Sequence, residues 1–167
     1  MKSKLLTIEE ANRMLPLLRK IVQDIQTSWE LILVKRTELE YLEKVSKNHP
    51  PGEGGEQKSA ASHAMPPLRN EQQARIQDLK AELNSSIEKI NCYIREVEDL
   101  NCFVEEFKRG IINFPSLYHG RKVFLCWGLG ENRVDHWHEL DESYNDRIRI
   151  LENDQFLSEK QKSIRGT

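Results

Sequence analysis

At 167 residues the chain has room for one domain of ordinary size. Hydrophobic residues make up 38% and charged residues 31%, a lean core under a large surface that suits an extended helical protein better than a compact α/β enzyme. The net charge of −2 supplies no global field for nucleic acid or an anionic membrane.

Segment counts agree. Residues 8–45 carry seven acids against six bases and residues 71–109 carry nine against six, so neither long segment has the basic stripe that phosphate binding requires. The start, "MKSKLLTIEEANR", turns charged after two leucines, which is not a signal peptide pattern, and no apolar run approaches a membrane span. Cys92, Cys102 and Cys126 are an odd set without paired-motif spacing. A reduced, cytoplasmic compartment is the expectation.

In chain order, Lys4–Leu6 reads as a short extended piece that can join a sheet. Thr7 followed by Glu10 is a capping-box pattern: the hydroxyl accepts from the backbone near residue 10 and the carboxylate reaches back. Pro16 predicts a break, giving a short helix over 8–14 and a longer one running to residue 45. The apolar seam Leu15, Leu18, Val22, Ile25, Trp29, Ile32, Arg36, Leu39 steps in a heptad rhythm with one charged interruption. Residues 46–69, rich in Pro and Gly, read as a flexible connector, and His49 and His63 within it receive no role.

A second long helix is predicted over 70–110, stopped by Gly110. Its stripe runs from Ile76 through Leu79, Leu83 and Ile87 to Val104, Phe107 and Ile111 at a mean period close to the coiled-coil value. Neither helix can bury its stripe alone, so the two pair. Beyond Gly110 the texture turns aromatic and β-branched around turn residues. A β-hairpin is predicted over 122–139, with strands near Lys122–Trp127 and Val134–Glu139 around the turn "GLGENR". Val123, Leu125 and Trp127 share one face of the first strand, opposite Phe124 and Cys126, and His136 and His138 share a face of the second. Residues 148–167 read as a partly ordered tail.

The segments "LTIEEANRMLPLLRKIV", "FPSLYHGRKVFLCWGLGE" and "WHELDESYNDR" resemble a bacterial family known only as domain of unknown function 2203. The matching positions are Thr7, Glu9, Glu10, Ala11 and Asn12, then Phe114, Pro115, Gly120, Arg121, Cys126, Trp127, Gly130, Glu131, Trp137, His138, Glu139 and Arg147. His136 is not part of the pattern. The chain also has Ser143-Tyr144 and Asp146-Arg147 where the family tends to place Gly before the aromatic and before the Arg. The resemblance implies no particular activity.

Three constellations are candidates for function. His136 and His138, two apart on a strand, face the same way, and with Cys126 they form a candidate set for a divalent transition metal. His119 or Asp141 could also supply a ligand, and a surface histidine pair is the competing reading. His138, Glu139, Asp141 and Arg147 could form an acid–base or anion-binding cluster, or else a buried polar network that clamps the hairpin. Trp127 and Trp137 pack in the core or form a recognition patch. Arg121 is placed to pair with Glu131 or Asp141.

The expected fold is α+β, mainly α: a long antiparallel helical hairpin, coiled-coil-like, capped by a small antiparallel β-sheet, in a single domain over 1–147. The expected function is that of a non-enzymatic cytosolic interaction or scaffold protein. It binds a protein partner or a second copy of itself as a homodimer, engages no nucleic acid or membrane, and needs no cofactor. The alternative is a small ligand- or metal-binding protein, or an enzyme, with its site at residues 126–147.

Overall fold

The computed structural model describes residues 4–48 and 66–165. Most of the predicted connector, with His49 and His63, lies outside the described residues. Two long helices, α1 (Ile8–Lys47) and α2 (Pro66–Asp99), pack together. After them comes a five-stranded antiparallel sheet with its strands in chain order: β1 (Phe103–Glu106), β2 (Ile111–Tyr118), β3 (Arg121–Gly128), β4 (His136–His138) and β5 (Ile148–Arg149). A short helix, α3 (Glu159–Arg165), follows. The fold is thus α+β and mainly helical. The chain divides into two compact units: the chain up to Thr27 together with everything from Ile90 onward, and Ser28–Lys89.

In the first unit, α1 starts where the capping box predicts. The Thr7 amide donates to Glu10 Oε2 at 2.9 Å and the Glu10 amide donates to Thr7 Oγ1 at 3.1 Å. The break expected at Pro16 is absent, and α1 continues through it. A proline inside a helix costs about 3 kcal/mol. Ala11, Leu15, Leu18 and Val22 are buried on both sides of it in one core, and burying each large aliphatic chain returns roughly 1.5–3 kcal/mol. Burial wins.

The second helix is shorter than predicted. It stops at Asp99, and Gly110 is not its terminator. Asn101 takes a left-handed φ of 64°, the Cys102 amide donates to Val97 O at 3.4 Å, and the Asn101 amide donates to Glu98 O at 2.9 Å. This pair of backbone bonds is a Schellman stop. Val104 and Ile111, predicted as the end of the helical stripe, are instead strand residues. Gly110 sits in the β1–β2 turn at φ 64°, where an added Cβ would fall 2.5 Å from Val22 Cγ1. That turn admits only glycine.

The sheet is larger than the predicted hairpin because residues 103–118 and 148–149 join it. Leu6 contributes one backbone bond, its amide to Pro115 O at 2.8 Å, and forms no strand. The predicted tail also departs from expectation. Phe156 and Leu157 are buried, and backbone bonds tie His119 to Gln155 and Leu157 to Leu117 along the open edge of β2. The Lys162 ammonium donates to Glu10, and Arg13 pairs with Glu159 at 3.3 Å, which fastens α3 to α1.

In the second unit the middle of α1 and the start of α2 lie side by side. Ile32, Ile76 and Leu79 are buried. Arg75 pairs with Glu38 at 2.9 Å, Lys35 with Glu82 at 3.6 Å and Lys80 with Glu43 at 3.6 Å.

Candidate functional site

Alternation along the strands gives the sheet two unlike faces. Ile112 and Phe114 from β2, Val123, Leu125 and Trp127 from β3, and Trp137 from β4 all enter the core shared with α1. On the opposite face, the register sets Asn113 across from both Phe103 and Cys126, Cys126 across from His136, and Phe124 across from His138. This second face carries the polar chemistry.

His138 is fully buried there. Its Nε2 contacts Asn113 Oδ1 at 3.2 Å and its Nδ1 contacts the Glu139 carbonyl at 2.7 Å. Both partners are acceptors, so each ring nitrogen of His138 faces an oxygen lone pair. Glu105 Oε1 lies 3.4 Å from Nε2. The same carboxylate accepts from Asn113 Nδ2 at 3.0 Å and from the Tyr144 amide at 3.1 Å.

Beside this group, Arg147 donates from one nitrogen to both oxygens of Glu131, at 2.6 and 2.9 Å, and from another to the Tyr144 hydroxyl at 2.9 Å. The Tyr144 ring has Arg147 3.9 Å and Arg109 4.8 Å from its centroid. The Gly128 amide donates to Glu131 Oε1 at 2.9 Å, and a Cβ at Gly128 would meet that oxygen at 3.0 Å and the Tyr144 ring at 3.3 Å. The backbone carbonyl of Glu131 accepts from Trp127 Nε1 at 2.9 Å. These groups saturate one another.

The residues expected to converge on one site go to separate places. Trp127 is in the core on the far face. Trp137 is buried and stacks on Tyr118 at 4.5 Å. Arg121 pairs with Glu139 across β3 and β4 rather than with Glu131 or Asp141, and its guanidinium lies 5.0 Å from the Tyr118 ring centroid. Asp141 is exposed. Only His138 and Arg147 share the polar face, each with its own carboxylate. The structure therefore does not assemble the acid–base cluster of His138, Glu139, Asp141 and Arg147.

Nor does it assemble the predicted metal set. His138 has both ring nitrogens engaged. Burial pushes the Cys126 thiol up to about 12, against the opposing pull of Arg147, so it is a protonated thiol and no nucleophile at neutral pH. Cys102 is likewise pushed up to about 12 by burial. His136 instead lies with two carboxylates from the loop before β4. Among the described residues, Glu131, Asp135 and His136 form the one group of three with ligand atoms all within 4.8 Å of one another. They line a surface recess of about 380 Å³ together with Gly130, Asn132 and Arg133. The strand period pairs His136 with His138, but the donors nearest to His136 come from the preceding loop. The local signal was the string Glu-x3-Asp-His.

Residues 4–150 match the family described as uncharacterized conserved protein (DUF2203). The chain belongs to this family. No curated protein and no solved structure matches it. Four positions that carry the resemblance to DUF2203, namely Cys126, Glu131, His138 and Arg147, cluster on or beside the polar face. Arg147 holds Glu131 and the Tyr144 hydroxyl, while Glu105, beside His138, accepts from the Tyr144 amide, which ties the 144–147 segment to the sheet. No helix among the described residues is long and apolar enough to cross a membrane.

Proposed function

We propose that this DUF2203 protein is a non-enzymatic cytosolic scaffold that associates with a second copy of itself through the outward face of α1 in the Ser28–Lys89 unit. One observation carries the reading. Leu33, Val34 and Tyr41 are 46%, 66% and 66% exposed on the side of α1 away from Ile32, the residue buried toward α2. They stand between Glu30 and Lys44, whose side chains have no ion pair among the described residues. An antiparallel two-fold centred on Thr37 sets Glu30 against Lys44 and Leu33 against Tyr41. The same patch thus complements itself in charge and in apolar surface, as an isologous contact requires. A contact along one stretch of helix is small, so the dimer is weak and concentration-dependent. The saturated polar face supports the non-enzymatic part, and three free cysteines suit a reducing compartment.

Sedimentation equilibrium over a concentration series tests the proposal. The intact chain is expected to move from monomer toward dimer as concentration rises. Glu30→Lys is expected to weaken association several-fold, and Glu30→Lys combined with Lys44→Glu to restore it. A chain that stays monomeric throughout overturns the reading. So does a dimer indifferent to these changes.

A further inference from the structure

The recess at the β3–β4 loop is unrelated to helix pairing, and its chemistry is specific. Glu131, Asp135 and His136 offer two carboxylate oxygens and one imidazole nitrogen, and each side chain is about a quarter exposed, open enough for an ion to enter. His136 Nδ1 is itself buried and has no hydrogen-bond partner. Asp135 Oδ1 nevertheless lies 2.6 Å from it, and Glu131 Oε2 lies 3.8 Å from it. A contact that short without hydrogen-bond geometry means the oxygen stands to the side of the nitrogen's axis. Donor atoms around a shared ion are arranged this way, flank to flank and each directed at the centre. In tetrahedral or octahedral sites with bonds near 2.1 Å, neighbouring donors are roughly 3.0–3.4 Å apart. The two separations here, 2.6 and 3.8 Å, lie one on each side of that range, so a bound ion would draw the donors to more even spacing.

We infer that Glu131, Asp135 and His136 bind a divalent first-row transition metal ion, with the remaining coordination positions open to solvent. Two hard carboxylate oxygens and one imidazole suit zinc, manganese or ferrous iron, and the absence of thiolate and thioether donors disfavours cuprous ion. Arg147, which donates to both oxygens of Glu131, and the Gly128 amide, which donates to Oε1, hold that carboxylate in place, a supporting contact of the kind that orients ligands. The Arg147 guanidinium compensates one of the two carboxylates, and Arg133 also lines the recess beside them. A protonated His136 held between the carboxylates is the competing arrangement, and it needs no metal.

Isothermal titration of the metal-free intact chain with zinc, and separately with manganese, distinguishes the two. One ion per chain is expected for at least one of the two metals. Asp135→Asn and His136→Gln are each expected to weaken that binding at least tenfold, with unchanged circular dichroism and melting temperature of the metal-free protein. Cys92→Ser, which removes the exposed thiol, is expected to leave it unchanged. A nitrogen-15 spectrum of the histidine ring adds a readout independent of affinity: the His136 Nδ1 resonance is expected to move on addition of zinc, while His138 stays put. The inference is overturned if neither metal binds. It is equally overturned if both variants bind like the parent, or if Cys92→Ser abolishes binding.

Discussion

Asn113 reaches partners on two other strands, and few single residues carry as much of the polar face. Its amide nitrogen serves Glu105 on β1 and its oxygen serves His138 on β4. Truncating it removes a partner from the fully buried His138 ring and one of the partners of the part-buried Glu105 carboxylate, and a buried polar group left unpaired costs about 1–3 kcal/mol. Asn113→Ala is therefore expected to lower the unfolding free energy in urea by about 1–3 kcal/mol, with the slope of the transition unchanged. A loss below about 0.5 kcal/mol, the size of an ordinary surface change, would show that His138 and Glu105 find other partners. The sequence made His138 visible through its strand and through the family resemblance. The role of Asn113 was not legible, because it depends on the register that sets it opposite Cys126. Glu105 was hidden for the same reason, having been read as part of a helix.

The missed end of α2 shows how that happened. Apolar residues at 100, 104, 107 and 111 keep the three–four stepping of the preceding helix, and periodicity alone does not distinguish helix from short strands when the runs are brief. Only Asn101 marks the stop, through a left-handed φ that Asn tolerates better than most residues. Gly110, the more conspicuous signal, serves the next turn instead. By contrast the capping box at Thr7 and the two faces of β3 were legible, because each depends on spacing within one element. Asn101→Val places a β-branched chain at positive φ and is expected to cost about 1–2 kcal/mol in thermal or urea unfolding. Asn101→Gly, which removes that conformational penalty, is expected to stay within about 0.5 kcal/mol of the parent. If valine is tolerated as well as glycine, the Schellman stop does not hold the helix end.

At the scale of the whole molecule, the chain's last helix is tied to its first across 152 residues of sequence, through Lys162 and Glu10. Polar composition concealed this: residues 147–167 hold five bases and three acids, and only Phe156 and Leu157 reveal that the segment returns to the core. Burial of the Glu10 carboxyl is the largest single influence on it and favours the neutral form. The Lys162 ammonium, the Thr7 amide and the more distant charge of Lys4 together outweigh burial, so its pKa is held below the usual carboxylate value. A carboxyl with a depressed folded pKa stabilises the fold above its unfolded pKa, and that stabilisation is lost as pH falls through the folded value. Lys162→Met removes the largest of the lowering influences while keeping an apolar stem of similar length. The melting temperature of the variant is expected to fall below that of the parent at pH 7. The gap should narrow as the pH falls through the depressed pKa of Glu10 in the parent, below which the carboxyl is protonated in both proteins. A gap that persists unchanged from pH 7 to pH 3 would mean that Lys162 acts through packing alone and that the two chain ends are not joined by charge.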